Sequence, residues 1–199
     1  MPLAANEKRI ARPERIDADG SGEQGVSARV YPALVPREHP LGAVRGAFNA
    51  VFVEAEAAGS LMFYGAGAGG VQTASAVLGD LVSAAKRHVA GGPGLADSVH
   101  ANLEVLPIER IYTRYQITIQ AKDQPGVLAQ IANIFADHGV SVETVEQSVN
   151  PSEPGKTPTA SLMVGTHEAT DASLSSVVNS LAASEAVESI TSVIRVEGL

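Results

Sequence analysis

Residues 115–148 read YQITIQAKDQPGVLAQIANIFADHGVSVETVEQS, and this stretch decides the fold of the second half of the chain. Tyr115, Ile117, Ile119 and Ala121 alternate with polar residues, the pattern of a half-buried strand. Lys122–Gly126 is turn chemistry: Asp123 can cap a helix and Pro125 can occupy its first turn. Val127/Leu128, Ile131/Ala132 and Phe135 recur at helical spacing and make one apolar stripe. Gly139 ends that helix, and Val140–Ser148 reads as a second strand.

Working outward toward the C-terminus, Asn150–Pro158 holds three prolines and reads as an exposed loop. Thr159–Gly165 is a third strand, with Leu162 and Val164 on one side. Asp171–Ala183 carries Leu174, Val177/Val178 and Leu181 at helical spacing. Val187–Val196 is the last strand. The order is βαββαβ, the ferredoxin-like split arrangement, in which a four-stranded sheet carries both helices on one face. The expected boundary on its N-terminal side falls around Pro107–Tyr112.

The first half is less regular. In residues 1–25, basic and acidic residues alternate, apolar residues are few, and Asp17–Gly20 is turn-forming. This segment is expected to be a disordered or frayed lead-in. Asp17, Asp19 and Gly20 faintly resemble a calcium loop, but the acidic ligand such a loop needs further on is missing. Val26–Val35 alternates as a strand that Pro32 and Pro36 should end. His39, beside Pro40, is expected to be structural. Ala47–Ala57 is a strand expected to be largely buried on both sides. Glu54 and Glu56 share one face roughly 7 Å apart, which reads better as a solvated strand end than as a catalytic pair.

Ala58-Gly59-Ser60 connects this strand to Leu61–Tyr64. That short apolar run enters a glycine cluster of Gly65, Gly67, Gly69 and Gly70, and a helix follows with Val71, Ala74, Val77/Leu78, Leu81/Val82, Ala85 and Val89 on one face. Gly65, Gly67 and Gly70 satisfy G-x-G-x-x-G. The full dinucleotide fingerprint also needs an acidic residue at the end of a second parallel strand, about 20 residues on. Asp80 comes too early, inside the helix, and Gly91–Gly94 is a loop. The alternatives are a packing turn and a ligand-facing loop of another kind; glycines suit either, because backbone can be approached closely there.

Composition narrows the partners. The chain of 199 residues is 45% hydrophobic and 4% aromatic, so its cores must be built from Val, Leu, Ile and Ala. It has no cysteine, which excludes disulfides and thiolate chemistry. The net charge of -8 argues against nucleic acid and anionic membranes as partners. No apolar run reaches membrane-spanning length and no signal-peptide core is apparent, so a cytoplasmic location is expected. No metal-ligand pattern stands out.

Two resemblances follow from these motifs. KDQPGVL at 122–128, continued by AQIANIFADHGVSVETV, resembles the ACT domain, a small-molecule regulatory module of amino-acid-pathway enzymes, over nearly all of 113–199. The resemblance implies an amino-acid effector bound at the turn before the first helix and the start of the second strand, often at a dimer interface. Carried onto this chain, the positions are Asp123, Gln124, Pro125, Gly126, Val127, Leu128 and Ser141, the last standing where several relatives have Asn. The stretch VSARVYPALVPREHPLGAVRGAFNAVFVEAEAAGSLMFYGAGAGGVQTASAVLGD resembles the closing part of the homoserine dehydrogenase catalytic domain, which an ACT domain commonly follows. It implies that Gly65, Gly67, Gly69 and Thr73 neighbour the nicotinamide of NADP or NAD.

The expected fold class is therefore α+β: a partial homoserine dehydrogenase-type α/β sheet domain over 26–107, then a ferredoxin-like ACT domain over 113–199. The family's Rossmann domain and catalytic lysine have no counterpart in the matching motifs, and Lys8, Lys86, Lys122 and Lys156 lie outside them. No catalytic residue is assigned to this chain. The implied function is a C-terminal portion of an enzyme that interconverts homoserine and aspartate semialdehyde in threonine, methionine and isoleucine biosynthesis, with feedback by an amino acid, threonine first. The chain alone is expected to be inactive, to bind no cofactor by itself and to form homo-oligomers. The alternative is a non-catalytic amino-acid-sensing or assembly module.

Overall fold

A computed structural model describes residues 3–15, 24–91, 104–150 and 158–197, with side chains from residue 25 onward. The elements, in chain order, are β1 (Leu3–Arg15), β2 (Gln24–Pro36), a 3-10 turn at Pro40–Ala43, β3 (Phe48–Ala55), β4 (Gly59–Ala66), α1 (Gly70–Ala90) and β5 (Glu104–Val105). A second 3-10 turn at Ile108–Arg110 follows, then β6 (Tyr112–Lys122), α2 (Val127–Asp137), β7 (Val142–Val149), β8 (Thr159–Thr166), β9 (Ala169–Thr170), α3 (Asp171–Ala183) and β10 (Val187–Val196). The calcium-loop candidate at 17–20, the loop at 92–94 and most of the Asn150–Pro158 loop lie outside the described residues.

The chain divides into two compact units that do not follow the sequence boundary at 107–113: residues 1–36 join 103–199 in one, and 37–102 form the other. In the first unit, β10-β6-β8-β7 is the four-stranded sheet expected of βαββαβ, antiparallel throughout. Its inner face offers Tyr115, Ile117, Ile119 and Ala121 from β6 and Leu162 and Val164 from β8. Against them pack Val127, Ile131 and Phe135 of α2 and Leu174, Val177 and Leu181 of α3. These side chains are almost fully buried, so period-2 strands and period-3.6 helices meet in one core.

The sheet continues past β10. Ala33 and Leu34 of β2 pair in parallel with Arg195 and Val196, and β1 pairs antiparallel with β2 from Leu3↔Pro36 to Arg15↔Gln24. The lead-in expected to be frayed is thus a strand. Its alternating residues have the strand period, and turn chemistry at 17–20 separates two extended runs of equal length, which is hairpin patterning. Pro32 does not end β2. Leu34 turns its carbonyl toward β10, accepting from Glu197 N–H, and Val26 turns its carbonyl toward Leu106 N–H. Pro32 shares that parity, and its missing N–H falls between these two short pairings, where no ladder bond is required. Leu106 lies over Gly25, where any Cβ would strike it.

In the second unit, β3 and β4 form an antiparallel hairpin, with Val53 opposite Leu61 and Phe48 stacked on Tyr64 at 5.0 Å. The glycine cluster then leads into α1. The expectation that β3 is buried on both sides is not met: Val51 is 61% exposed, and only Ala50 and Phe52 are half-buried. A two-stranded hairpin has no second layer of its own to cover either face. Along α1 the apolar face forms as expected, yet no residue is buried and Leu81 is 62% exposed. Among the described residues, no helix is long and apolar enough to cross a membrane.

Candidate functional site

The glycine loop joins β4 to α1. Gly67 N–H donates to Ala47 O at 3.2 Å, tying the loop to the start of β3, and Thr73 N–H donates to Gly69 O as the first bond of α1. Gly69 is the N-cap, at φ 133, a backbone region that side-chain-bearing residues avoid. The four glycines answer to different constraints. A Cβ at Gly67 would meet only the tip of the exposed Asn49 side chain and one at Gly69 the tip of Gln72, both able to swing aside, so at Gly69 it is the positive φ that calls for glycine. A Cβ at Gly65 or Gly70 would meet nothing. The loop itself therefore does not require glycine at these two positions.

Gly69, Gly70, Thr73, Ala74, Val77 and Leu78 line an open, mostly apolar groove along the first turns of α1. The N–H groups of the first helical turn face outward at its end. Glu54 and Glu56 are exposed at the far end of the hairpin, where Glu54 faces Ser60 across the strands. His39 has the structural role expected: its Nδ1 accepts from Leu41 N–H, and its ring meets Phe52 edge-on at 4.8 Å. Among the described residues, no group of His, Asp or Glu could hold a metal ion.

The second candidate site is the turn between β6 and α2. Asp123 does not cap α2. Its N–H donates to Pro158 O at 2.8 Å, and the N-cap is Gly126, at φ 90 and ψ -14, with no side-chain cap bond. Only glycine takes this left-handed conformation without strain, so the turn itself requires Gly126. Val127 points into the core and its N–H donates to Gln124 O, while Leu128 is 46% exposed. Gln130 N–H makes the bond to Gly126 O. The N–H groups of Leu128 and Ala129 therefore lie between these two bonds at an uncapped helix start, next to exposed Gln124 and Pro125.

Ser141 is not part of this place within one chain. It follows the other end of α2, where its carbonyl accepts from His167 N–H. The 11 residues of α2 separate it from Gly126 by roughly 16 Å.

A polar cluster that sequence reasoning missed is buried where β2, β6, β10 and the start of α3 meet. Asp171, at the first turn of α3, accepts from Arg195 through both Nη2 (2.5 Å) and Nε (3.1 Å) and from the Tyr115 hydroxyl at 2.9 Å. The Arg195 guanidinium lies 4.7 Å from the Tyr31 ring centroid and 5.3 Å from that of Tyr115. Tyr31 donates to Glu197 at 2.5 Å. Burial pushes the Tyr115 phenol above its ordinary range. Burial does the same to Tyr31, and the bond to Glu197 adds to it. Burial works against the charge on Arg195, but its bond to Asp171 and the attraction of Tyr115, Asp171 and Tyr31 together outweigh that and hold it cationic. One signal was available: Arg195 interrupts an apolar strand, and a charge there needs a partner.

Comparison with known proteins agrees with both halves. The model for homoserine dehydrogenase matches residues 5–82, and the model for the ACT domain matches residues 115–186. The homoserine dehydrogenase of Mycobacterium tuberculosis is 54% identical over 185 residues, 93% of this chain. The chain belongs to the homoserine dehydrogenase family. It covers 42% of that mycobacterial protein, and so spans about two-fifths of the length of the curated relatives it matches. The homoserine dehydrogenase of Corynebacterium glutamicum is 47% identical over 176 residues, 88% of this chain and 38% of that protein. In three dimensions, the crystal structure of a homoserine dehydrogenase from Thiobacillus denitrificans superposes with a TM-score of 0.82 at 32% identity, covering 98% of this chain and 42% of that one. The family match starts at residue 5, so it includes β1, the strand read from sequence as a lead-in.

Proposed function

We propose that this chain is the amino-acid-sensing part, with one wall of the cofactor site, of an oxidoreductase acting on homoserine and aspartate semialdehyde. The observation that carries the reading is the pairing, on one chain, of a homoserine dehydrogenase match with an ACT match whose first helix starts uncapped and open. NAD(P), when bound in the complete enzyme, accepts or returns the hydride. Gly65 and Gly70 would let its nicotinamide end approach the backbone, and Thr73 would offer a hydroxyl at the same helix end. Turnover belongs to the whole enzyme, and the 199 residues alone are not expected to oxidise homoserine.

The effector reading fits the chemistry of the α2 start. An amino-acid carboxylate would accept the Leu128 and Ala129 N–H groups and gain from the helix dipole, together about 1–3 kcal/mol. Asp123 would receive the ammonium, with Gln124 and Pro125 as neighbours. Threonine is the first candidate, because its small polar side chain suits a serine partner.

Ser141 would come from a second copy. β7 is the free edge of the sheet. Two β7 strands pairing antiparallel about a twofold axis would set the Ser141 end of one copy beside the 123–128 turn of the other. A homodimer in the cytoplasm is the form this reading expects.

The test is calorimetric titration of threonine, with isoleucine and methionine as comparators. The variant is Leu128→Asp, which keeps helix chemistry, since an acidic residue suits a first turn, but repels a bound carboxylate. Gly126→Asp is a poorer choice because it would strain the turn at φ 90. Expected are millimolar or tighter binding of one amino acid and its loss, by tenfold or about that, in Leu128→Asp. No binding by any of the three, or equal binding by the variant, would overturn the assignment. An assay with homoserine and NADP accompanies it, and turnover at the rate of an intact dehydrogenase would contradict the rest.

A further inference from the structure

The ACT sheet does not end at its own last strand. Its β10 edge is joined to β2 by two residue pairs only, Ala33↔Arg195 and Leu34↔Val196, and by the Glu197 N–H bond to Leu34 O. So short a parallel ladder is weak by itself. What stands over it is the buried cluster: Arg195 from β10, held by Asp171 of α3, lies against the ring of Tyr31 on β2 and the ring of Tyr115 on β6 and donates to the Tyr115 hydroxyl at 3.3 Å, and Tyr31 reaches across to Glu197. The Asp171 side chain is 6% exposed and that of Arg195 21%, so these contacts are only weakly screened by water.

We propose that Arg195 is a latch that locks β2 to the ACT domain, so that β2 and the ACT sheet open and move as one body. The planar guanidinium is suited to this, because it can stack on two rings while its edge donates to one carboxylate. Asp171 anchors the latch to the start of α3, and Asp171 N–H in turn bonds Ile111 O, at the entry to β6. Tyr31 is the keeper on the other side. β2 runs at Pro36 directly into the segment that carries the hairpin and the glycine loop. The regulatory meaning of the latch rests on the amino-acid-sensing reading above. The latch itself rests on the cluster alone.

Hydrogen exchange on the full 199-residue chain tests it, in wild type, Arg195→Lys and Tyr31→Leu. Lysine keeps the charge beside Asp171 but cannot stack as a plane, and leucine keeps apolar volume on β2 while removing the ring and its hydroxyl. Without ligand, the amides of Ala33, Leu34 and Val35 should exchange roughly tenfold faster in either variant, while those of Leu174–Leu181 in α3 stay within about twofold. Equal acceleration in β2 and α3 would make the cluster an ordinary part of the core, and unchanged β2 exchange would remove the latch; either result overturns the proposal. With threonine present, protection should spread from 123–131 to β2 in wild type and stop short of β2 in Arg195→Lys. If no amino acid alters exchange anywhere, the sensing reading fails, and the ligand-free comparison still decides the latch.

Discussion

Two helices of this protein, α1 and α2, look alike in sequence and differ in what covers them. Both carry an apolar stripe at helical spacing, and both follow a strand and a glycine-containing turn. On α2, Val127, Ile131 and Phe135 are buried against a sheet and a second helix. On α1, Val77, Leu81 and Val82 lie open, and the hairpin beside it in sequence exposes Val51, Phe63 and Tyr64. Amphipathic patterning specifies a face to be buried; it does not say that the same chain supplies the cover. The ACT unit supplies its own. The stretch 48–90 leaves its apolar faces exposed, and the curated relatives are more than twice as long as this chain.

The sharpest way to break this contrast is a pair of truncations. Phe135→Ala empties the ACT core and should cost about 3–5 kcal/mol in urea unfolding. Leu81→Ala, of similar apolar character, should change stability by less than about 0.5 kcal/mol in this chain. Comparable losses would mean that α1 is packed after all.

A second test asks whether the open faces find each other. The chain is expected to self-associate at tens of micromolar, on the order of usual sample concentrations. Leu81→Lys with Val51→Lys should lower the apparent mass by sedimentation. A wild-type monomer would contradict this.

Within the ACT unit, Asp171→Asn should cost about 1–3 kcal/mol, since it leaves Arg195 half-buried without its anionic partner. A loss under about 0.5 kcal/mol would demote the cluster.

The smallest effect concerns pH. Tyr31 and Tyr115 hold their protons more tightly folded than unfolded. The folded state then binds more protons above the ordinary tyrosine value of 10.0, so this part of the stability is complete below about pH 10 and falls as the pH rises past it. Tyr31→Phe with Tyr115→Phe should flatten the alkaline limb of a stability–pH curve, and an unaltered limb would assign it to other groups.

The ACT fold was legible because its signals are local. Asp171–Ala183 and Val187–Val196 have in the structure the bounds that periodicity suggests. What was not legible depends on distant residues. Tyr31 and Glu197 are 166 positions apart, Tyr115 and Asp171 are 56 apart, and no local pattern pairs them. β1 was missed because charged alternation was read as polarity and its strand period was overlooked. That α2 sets Ser141 at the opposite end of the domain from the 123–128 turn was not legible from the motif alone. At the glycine loop, the spacing was visible, but not which glycine the backbone requires: Gly69 alone of the four has a positive φ.

The most direct test of the contrast between the two units is hydrogen exchange along the whole chain at low micromolar concentration, without ligand. The amides of α2, α3 and the centre of β6 should exchange slowest, near the rate set by global unfolding, and those of α1 faster by two or more orders of magnitude, about the ratio between core and uncovered helices. Protection of α1 equal to that of α2 would contradict the account, because it would show that residues 48–90 already have their cover within this chain.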